Sequence, residues 1–186
     1  NNAWVGQADT AIGGGRAVYG GGVGGADNVI DYYTIITPGN ATDFGNLTQA
    51  RYYMAACSNG SNGRGVFGPG YKDGAAYNNM DYITIDTPGD ATDFGDFTTG
   101  TSYGYGSCSN GTNDRGVFWG GTDGPSLSDK LRNIQYITIT NTSGTVDFGD
   151  MSNTSSTAYR VGCGAASNGT SERGVVVGGF GGGTTN

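Results

Sequence analysis

Three aspartates recur in this 186-residue chain with the same neighbours, and three arginines recur in alternation with them. Asp43 and Asp93 each stand in Ala-Thr-Asp-Phe-Gly, and Asp147 stands in Thr-Val-Asp-Phe-Gly. Arg64, Arg115 and Arg173 each open an Arg-Gly-Val segment, and Arg16 opens the related Arg-Ala-Val-Tyr. Carboxylates repeated in this way can form a ring that binds cations, or each can accept a bidentate guanidinium. A calcium site needs several oxygens converging from one loop. Asp93 has Asp96 nearby, but the matching positions are Asp43/Asn46 and Asp147/Asp150, so that charge is not kept from copy to copy. Repetition in every copy therefore favours a structural Asp–Arg pair between copies, and no metal is expected.

Enzyme chemistry finds few carriers. The chain has no histidine, which removes Ser-His-Asp and Cys-His arrangements and the commonest metal ligand. Glu172 is the sole glutamate, so a pair of carboxylates for glycoside hydrolysis would have to be aspartates. The glycine runs at 13–15 and 20–22 carry no Gly-Lys-Ser/Thr and open no helix, so they are not phosphate cradles. No catalytic residue and no cofactor is expected.

Net charge is −7, which argues against nucleic acid, because phosphate contact needs clustered Lys and Arg. Only 13% of residues are charged, so Ser, Thr, Asn and Gly must dominate the surface, as suits an extracellular setting and contact with carbohydrate. No segment has the apolar length of a membrane helix. The chain has neither an initiator Met nor a signal peptide, so a processed chain or an excerpt is expected. Cys57 and Cys108 each precede Ser-Asn-Gly, whereas Cys163 stands further from its own Ser167-Asn-Gly. An odd count at equivalent positions points to buried thiols rather than a disulfide framework.

The elements that must position these groups follow from a period of about 50 residues. Glycine makes up 38 residues without the every-third spacing of collagen, and it flanks β-branched and aromatic residues. Each unit reads in four parts. Arg51-Tyr-Tyr-Met-Ala-Ala-Cys57 is matched by 101–108 and 157–163, and a Ser-Asn-Gly turn follows. The Arg-Gly-Val-Phe strand comes next and ends in glycine. Asp31-Tyr-Tyr-Thr-Ile, Asp81-Tyr-Ile-Thr-Ile and Gln135-Tyr-Ile-Thr-Ile alternate as half-buried strands should. The Asp-Phe-Gly segment closes the unit. Tyr32 to Asp43, Tyr82 to Asp93 and Tyr136 to Asp147 are all 11 positions apart, whereas the loops elsewhere vary in length. The longest loop spans 120–133 and carries Lys130 and Arg132.

Four short antiparallel strands per unit describe a propeller blade. The double glycine after Arg16-Ala-Val-Tyr and the aromatic strand that follows resemble a divergent kelch repeat. The string Asp-Tyr-Ile-Thr-Ile, Ala-Thr-Asp-Phe-Gly-Asp, Cys-Ser-Asn-Gly, Arg-Gly-Val-Phe is similar to repeats of virion and tail-fibre proteins of marine and cyanobacterial phages. The resemblance covers nearly the whole chain, which departs from ordinary kelch repeats in lacking a regular blade-end Trp. It implies an all-β, kelch-like β-propeller fold with blades at about 4–50, 51–100 and 101–156 and a half-blade at 157–186. Closed propellers usually have at least four blades, and an open one exposes strand edges that invite pairing. The expectation is a non-catalytic structural subunit of an extracellular filament or virion appendage that assembles with copies of itself. The alternative is a phage adhesin module binding carbohydrate or another receptor on the host surface.

Contact with such glycans would fall to aromatic rings. Tyr71, Tyr77, Tyr103 and Trp119 lie near loops or strand ends, although blade tyrosines more commonly pack between units. Trp119 breaks the repeat where the other copies carry Gly or Val, beside the longest loop. Asn40, Asn46, Asn59, Asn110, Asn141, Asn153 and Asn168 stand in Asn-x-Ser/Thr sequons, sites for glycans in a secreted eukaryotic protein but frequent by chance in this composition.

Overall fold

Period-2 alternation of β-branched and aromatic residues, interrupted by glycine, dictates short antiparallel strands with tight connections. The computed structural model describes residues 3–6, 15–24, 28–60, 63–98, 103–122, 131–151, 162, 164–167 and 173–177. Among these residues it is all-β, apart from one short 3-10 turn at Gly111–Asn113.

The first sheet runs β1 (Ala3–Gly6), β2 (Arg16–Gly20), β3 (Val29–Thr34) and β4 (Thr42–Asn46), each strand antiparallel to the one before. The second contains β5 (Ala56–Ser58) and β6 (Arg64–Phe67), then a small hairpin of β7 (Tyr71–Lys72) and β8 (Ala75–Ala76), and returns with β9 (Asn79–Thr84) and β10 (Thr92–Asp96). Asp73 and Gly74 at the tip of the inserted hairpin both have positive φ, the backbone of a tight two-residue turn. The third sheet is β11 (Tyr103–Ser109), β12 (Arg115–Thr122), β13 (Asn133–Thr138) and β14 (Val146–Asp150). A two-stranded sheet, β15 (Gly164–Ser167) and β16 (Gly174–Val177), follows.

The sheets lean on one another through their first strands. β1 lies against β5 and β6, β5 against β11 and β12, and β11 against β15 and β16. Two apolar cores fill the spaces between sheets. One joins Val18, Ile30, Phe44 and Leu47 of the first unit to Met54, Phe67, Ile83 and Ile85 of the second. The other joins Val66, Met80, Phe94 and Phe97 of the second to Tyr105, Phe118, Ile137 and Ile139 of the third. A single sheet cannot bury its own face, so each unit depends on the next.

In each four-stranded sheet the ladder between third and fourth strands skips one residue. Ile30 pairs with Gly45 and Asp31 with Asp43, so Phe44 is the extra residue of a β-bulge. Phe94 and Phe148 are skipped in the same way. The bulge re-aims the phenylalanine, and the glycine after it carries the positive φ that the bend demands.

Candidate functional site

The junction between consecutive units holds most of the chain's distinctive residues, and its stacked arginine recurs both times. Arg16, Arg64 and Arg115 lay their guanidinium groups over the rings of Tyr32, Tyr82 and Tyr136 at 4.7, 4.2 and 4.4 Å. Each of those tyrosines meets its own unit's phenylalanine, Phe44, Phe94 or Phe148, edge to face. From this stacked position Arg16 donates to the carbonyl of Ile85, and Arg64 to the carbonyl of Ile139, each in the following unit. The repeated arginines Arg64 and Arg115 are therefore held by a tyrosine face and, for Arg64, a neighbour's backbone. Pairing with Asp43, Asp93 and Asp147 was the expectation, and it is corrected here: those aspartates lie exposed, and Asp93 and Asp147 accept hydrogen bonds from the backbone of Gly95 and Gly149. Arg173 belongs to the β15–β16 end of the chain.

The ion pair that the described residues do contain joins Arg51 and Asp81 at 3.1 Å, both fully buried. Thr48, at the end of the first unit, donates to Asp81 through its backbone N–H and its hydroxyl. Arg51 adds bonds to the carbonyls of Gly68 and Gln49. Burial lowers the Arg51 pKa while Asp81 opposes that shift. At the next junction Thr98 takes the place of Thr48 and Gln135 that of Asp81. The Gln135 oxygen accepts from the hydroxyls of Thr98 and Thr145, and among the described residues no charge is buried there. A neutral amide stands where the guanidinium is missing, as the cost of an unpaired buried carboxylate requires.

Backbone bonds complete each junction. Ala91 N–H donates to the Asn46 carbonyl at 2.8 Å, and Thr145 N–H to the Asp96 carbonyl at 3.0 Å. Asn59 Nδ2 reaches Asp114 across the second junction, and Asp114 also accepts from the Thr140 backbone. Close approach explains several glycines. A Cβ on Gly116 would stand 2.5 Å from Cys57 Sγ, and one on Gly174 would stand 2.6 Å from Cys108 Sγ. The β15–β16 pair thus takes the seat on the third sheet that β11–β12 takes on the second.

The fourth-strand glycines give a direct contrast. A Cβ on Gly45 would lie 2.4 Å from the Gly89 carbonyl oxygen, whereas one on Gly149 would meet nothing. Gly45→Ala is expected to cost about 2–3 kcal/mol from clash plus backbone strain, and Gly149→Ala about 1 kcal/mol from strain alone. Urea unfolding of both variants checks this, and equal losses would contradict the junction's role.

Cys57 and Cys108 are free thiols; Cys163 lies outside the described residues. Burial pushes both thiols up, with Cys108 adding to the effect on Cys57, and burial likewise pushes the Tyr103 hydroxyl up. The folded chain therefore keeps protons that the unfolded chain releases. Stability is fully present below the ordinary thiol pKa of about 8.5 and falls as pH rises beyond it, by up to about 1.4 kcal/mol per pH unit for a fully buried thiol. Urea midpoints should decline from pH 8 to 10, and less steeply in Cys57→Ala. A flat profile would count against burial of these groups.

Two of the proposed aromatic contacts are brought together. Tyr71 and Tyr103 lie 4.6 Å apart between ring centroids, and Tyr52 and Tyr53, which the repeat pattern does not mark as contacts, complete a cluster of four. Tyr52 and Tyr71 exchange both backbone bonds. Tyr53 has φ +59° with its ring partly exposed, a strained conformation for an aromatic residue. The identical Tyr-Tyr at 32–33 sits in a regular strand, so nothing in the local sequence marks this one. Tyr77 is half-buried and its backbone N–H is held by Gly70. Trp119 is only 3% exposed and packs over Gly106, so its ring face is not open to solvent; its Nε1 has no acceptor among the described residues. It lines a cavity of about 700 Å³ between the third sheet and β15–β16.

Of the sequon asparagines, Asn40, Asn46 and Asn141 are exposed and Asn110 is half-buried. Asn59 is 1% exposed and bonded to Asp114, so in the folded chain its amide is not open to a glycan. Asn59 and Asn110 instead accept from the N–H of Arg64 and Arg115 and thereby close their hairpin turns. Asn153 and Asn168 lie outside the described residues.

No helix among the described residues is long and apolar enough to cross a membrane. No family model matches the chain, and no curated protein matches it.

Proposed function

We propose that the chain is a non-catalytic structural subunit, a run of kelch-like blades that associates with copies of itself in an extracellular filament or virion appendage. One observation carries the reading. Positions buried at the internal junctions stand open at the two ends of the stack. Phe44 and Phe94 are 3% and 1% exposed, and their counterpart Phe148 is 54% exposed. Ile85 and Ile139 are fully buried, and their counterpart Ile35 is 57% exposed. An apolar face that the fold covers wherever it has a neighbour is a face made for a neighbour. Few charged side chains and a polar Ser/Thr/Asn surface support a setting outside cells. Negative-stain imaging tests the proposal: filaments or rings support it, and dispersed single particles contradict it.

The strained, partly exposed Tyr53 above Tyr52, Tyr71 and Tyr103 favours a second reading, a carbohydrate-contact platform. A glycan array with the parent chain and Tyr53→Asn tests it. Binding lost in the variant supports the platform, and no binding to any glycan by the parent contradicts it.

A further inference from the structure

We infer that the cavity between the third sheet and the β15–β16 pair is a docking groove for a β-hairpin of this chain's own third- and fourth-strand type. It rests on the same junction pattern as the proposed function, but it names the occupant.

The argument starts from what the fold already does twice. Strand 2 of each complete unit is bracketed by strand 1 and strand 3: β6 lies between β5 and β9, and β12 between β11 and β13. Strand 3 then delivers an aliphatic pair to the preceding unit's phenylalanine. Ile83 and Ile85 reach Phe44, and Ile137 and Ile139 reach Phe94. At the third sheet the first half of this arrangement is present. Gly174 sits over Cys108 as Gly116 sits over Cys57, so β15 and β16 occupy the strand-1 and strand-2 positions. Among the described residues β16 pairs with β15 alone.

The other half is a void. Its volume is about 700 Å³, and its walls include Arg115, Val117, Trp119, Ile134, Phe148 and Val176. Phe148 is the residue that a third-strand aliphatic pair covers elsewhere. Arg115 is already stacked on Tyr136 and is the counterpart of Arg16 and Arg64, which donate to the carbonyl just after the third strand of the next unit. The groove thus offers an apolar seat, a cationic donor and a strand edge, all in the register of an existing junction. Copying the third sheet's pairing, in which Gly116, Val117 and Phe118 face Ile137, Tyr136 and Gln135, sets the docked register: Gly174, Val175 and Val176 opposite the corresponding Ile, Tyr and Gln of the incoming hairpin.

The probe is a synthetic peptide spanning residues 131–151, which carries the β13–β14 hairpin sequence. Cys108 lines the groove and reports occupancy through its rate of modification by a maleimide, in a Cys163→Ser background. With the peptide at about ten times its dissociation constant, Cys108 modification should slow by about tenfold. A peptide with Ile137→Asp and Ile139→Asp should not protect. Phe148→Asp in the protein should abolish protection while leaving the circular dichroism spectrum unchanged, because that side chain is half exposed. Unchanged labelling with peptide up to about 1 mM would overturn the inference. Self-association lost in Phe148→Asp without any protection by the peptide would also overturn it, while leaving the proposed function standing with a copy of the chain as the occupant.

Discussion

Asp81→Ala is expected to destabilise the chain by about 3–5 kcal/mol, because it strips a fully buried guanidinium of its counter-charge. Arg51 and Asp81 are both inaccessible to solvent, and Thr48 commits two donors to the same carboxylate. In a chain of this size the loss should lower the thermal midpoint by about 10 °C. The third sheet indicates how to repair the damage, since Gln135 accepts from Thr98 and Thr145 with no ion present. Arg51→Met/Asp81→Gln should therefore lie within about 1–2 kcal/mol of the parent, far above Asp81→Ala. Thermal melts of the parent, the single variant and the double variant decide this. A single variant that melts with the parent would mean the pair is not buried, and a double variant as unstable as the single would mean the pair does more than neutralise itself.

The second large effect is a contrast between equivalent residues. Phe94→Ala should cost about 3–5 kcal/mol, as for any buried ring whose loss leaves a cavity, whereas Phe148→Ala should cost less than about 1 kcal/mol. Both follow Asp at a β-bulge, and both meet their unit's tyrosine edge to face. They differ in what lies opposite, Ile137 and Ile139 against Phe94 and an open groove against Phe148. Urea titrations measure the difference. Equal costs would mean that Phe148 is covered in solution by something within the chain.

The strands were legible in the sequence because alternation and glycine spacing act locally. Asp-Tyr-Ile-Thr-Ile became β9, Arg-Gly-Val-Phe became β6, and the constant spacing from Tyr to Asp became the paired third and fourth strands with their bulge. Partner choice was not legible, because it depends on which units touch. The repeated Arg and Asp invited a salt bridge, yet Arg64 found the Tyr82 face and the Ile139 carbonyl, while the ion pair among the described residues used Arg51, which the third unit lacks in its described residues, and Asp81, which becomes Gln135. The replacement of Asp by Gln at this third-strand position was the one available signal. Asn59 illustrates a second limit. A sequon is a local pattern, and burial at a junction is not. The sequence marks Tyr71 and Tyr103 but not their partners Tyr52 and Tyr53, for the same reason: Tyr53's positive φ arises where its carbonyl accepts from Gly104 of the next unit.

The central claim is that the ends of this stack are unfinished copies of its internal junctions. Sedimentation velocity over a range of concentrations tests it most directly, with the parent chain beside Ile35→Asp and Phe148→Asp. The account predicts that the 18.9 kDa parent sediments as species that grow with concentration, and that either substitution returns it to a folded monomer. A parent chain that remains monomeric across the range, or assemblies indifferent to both substitutions, would contradict it.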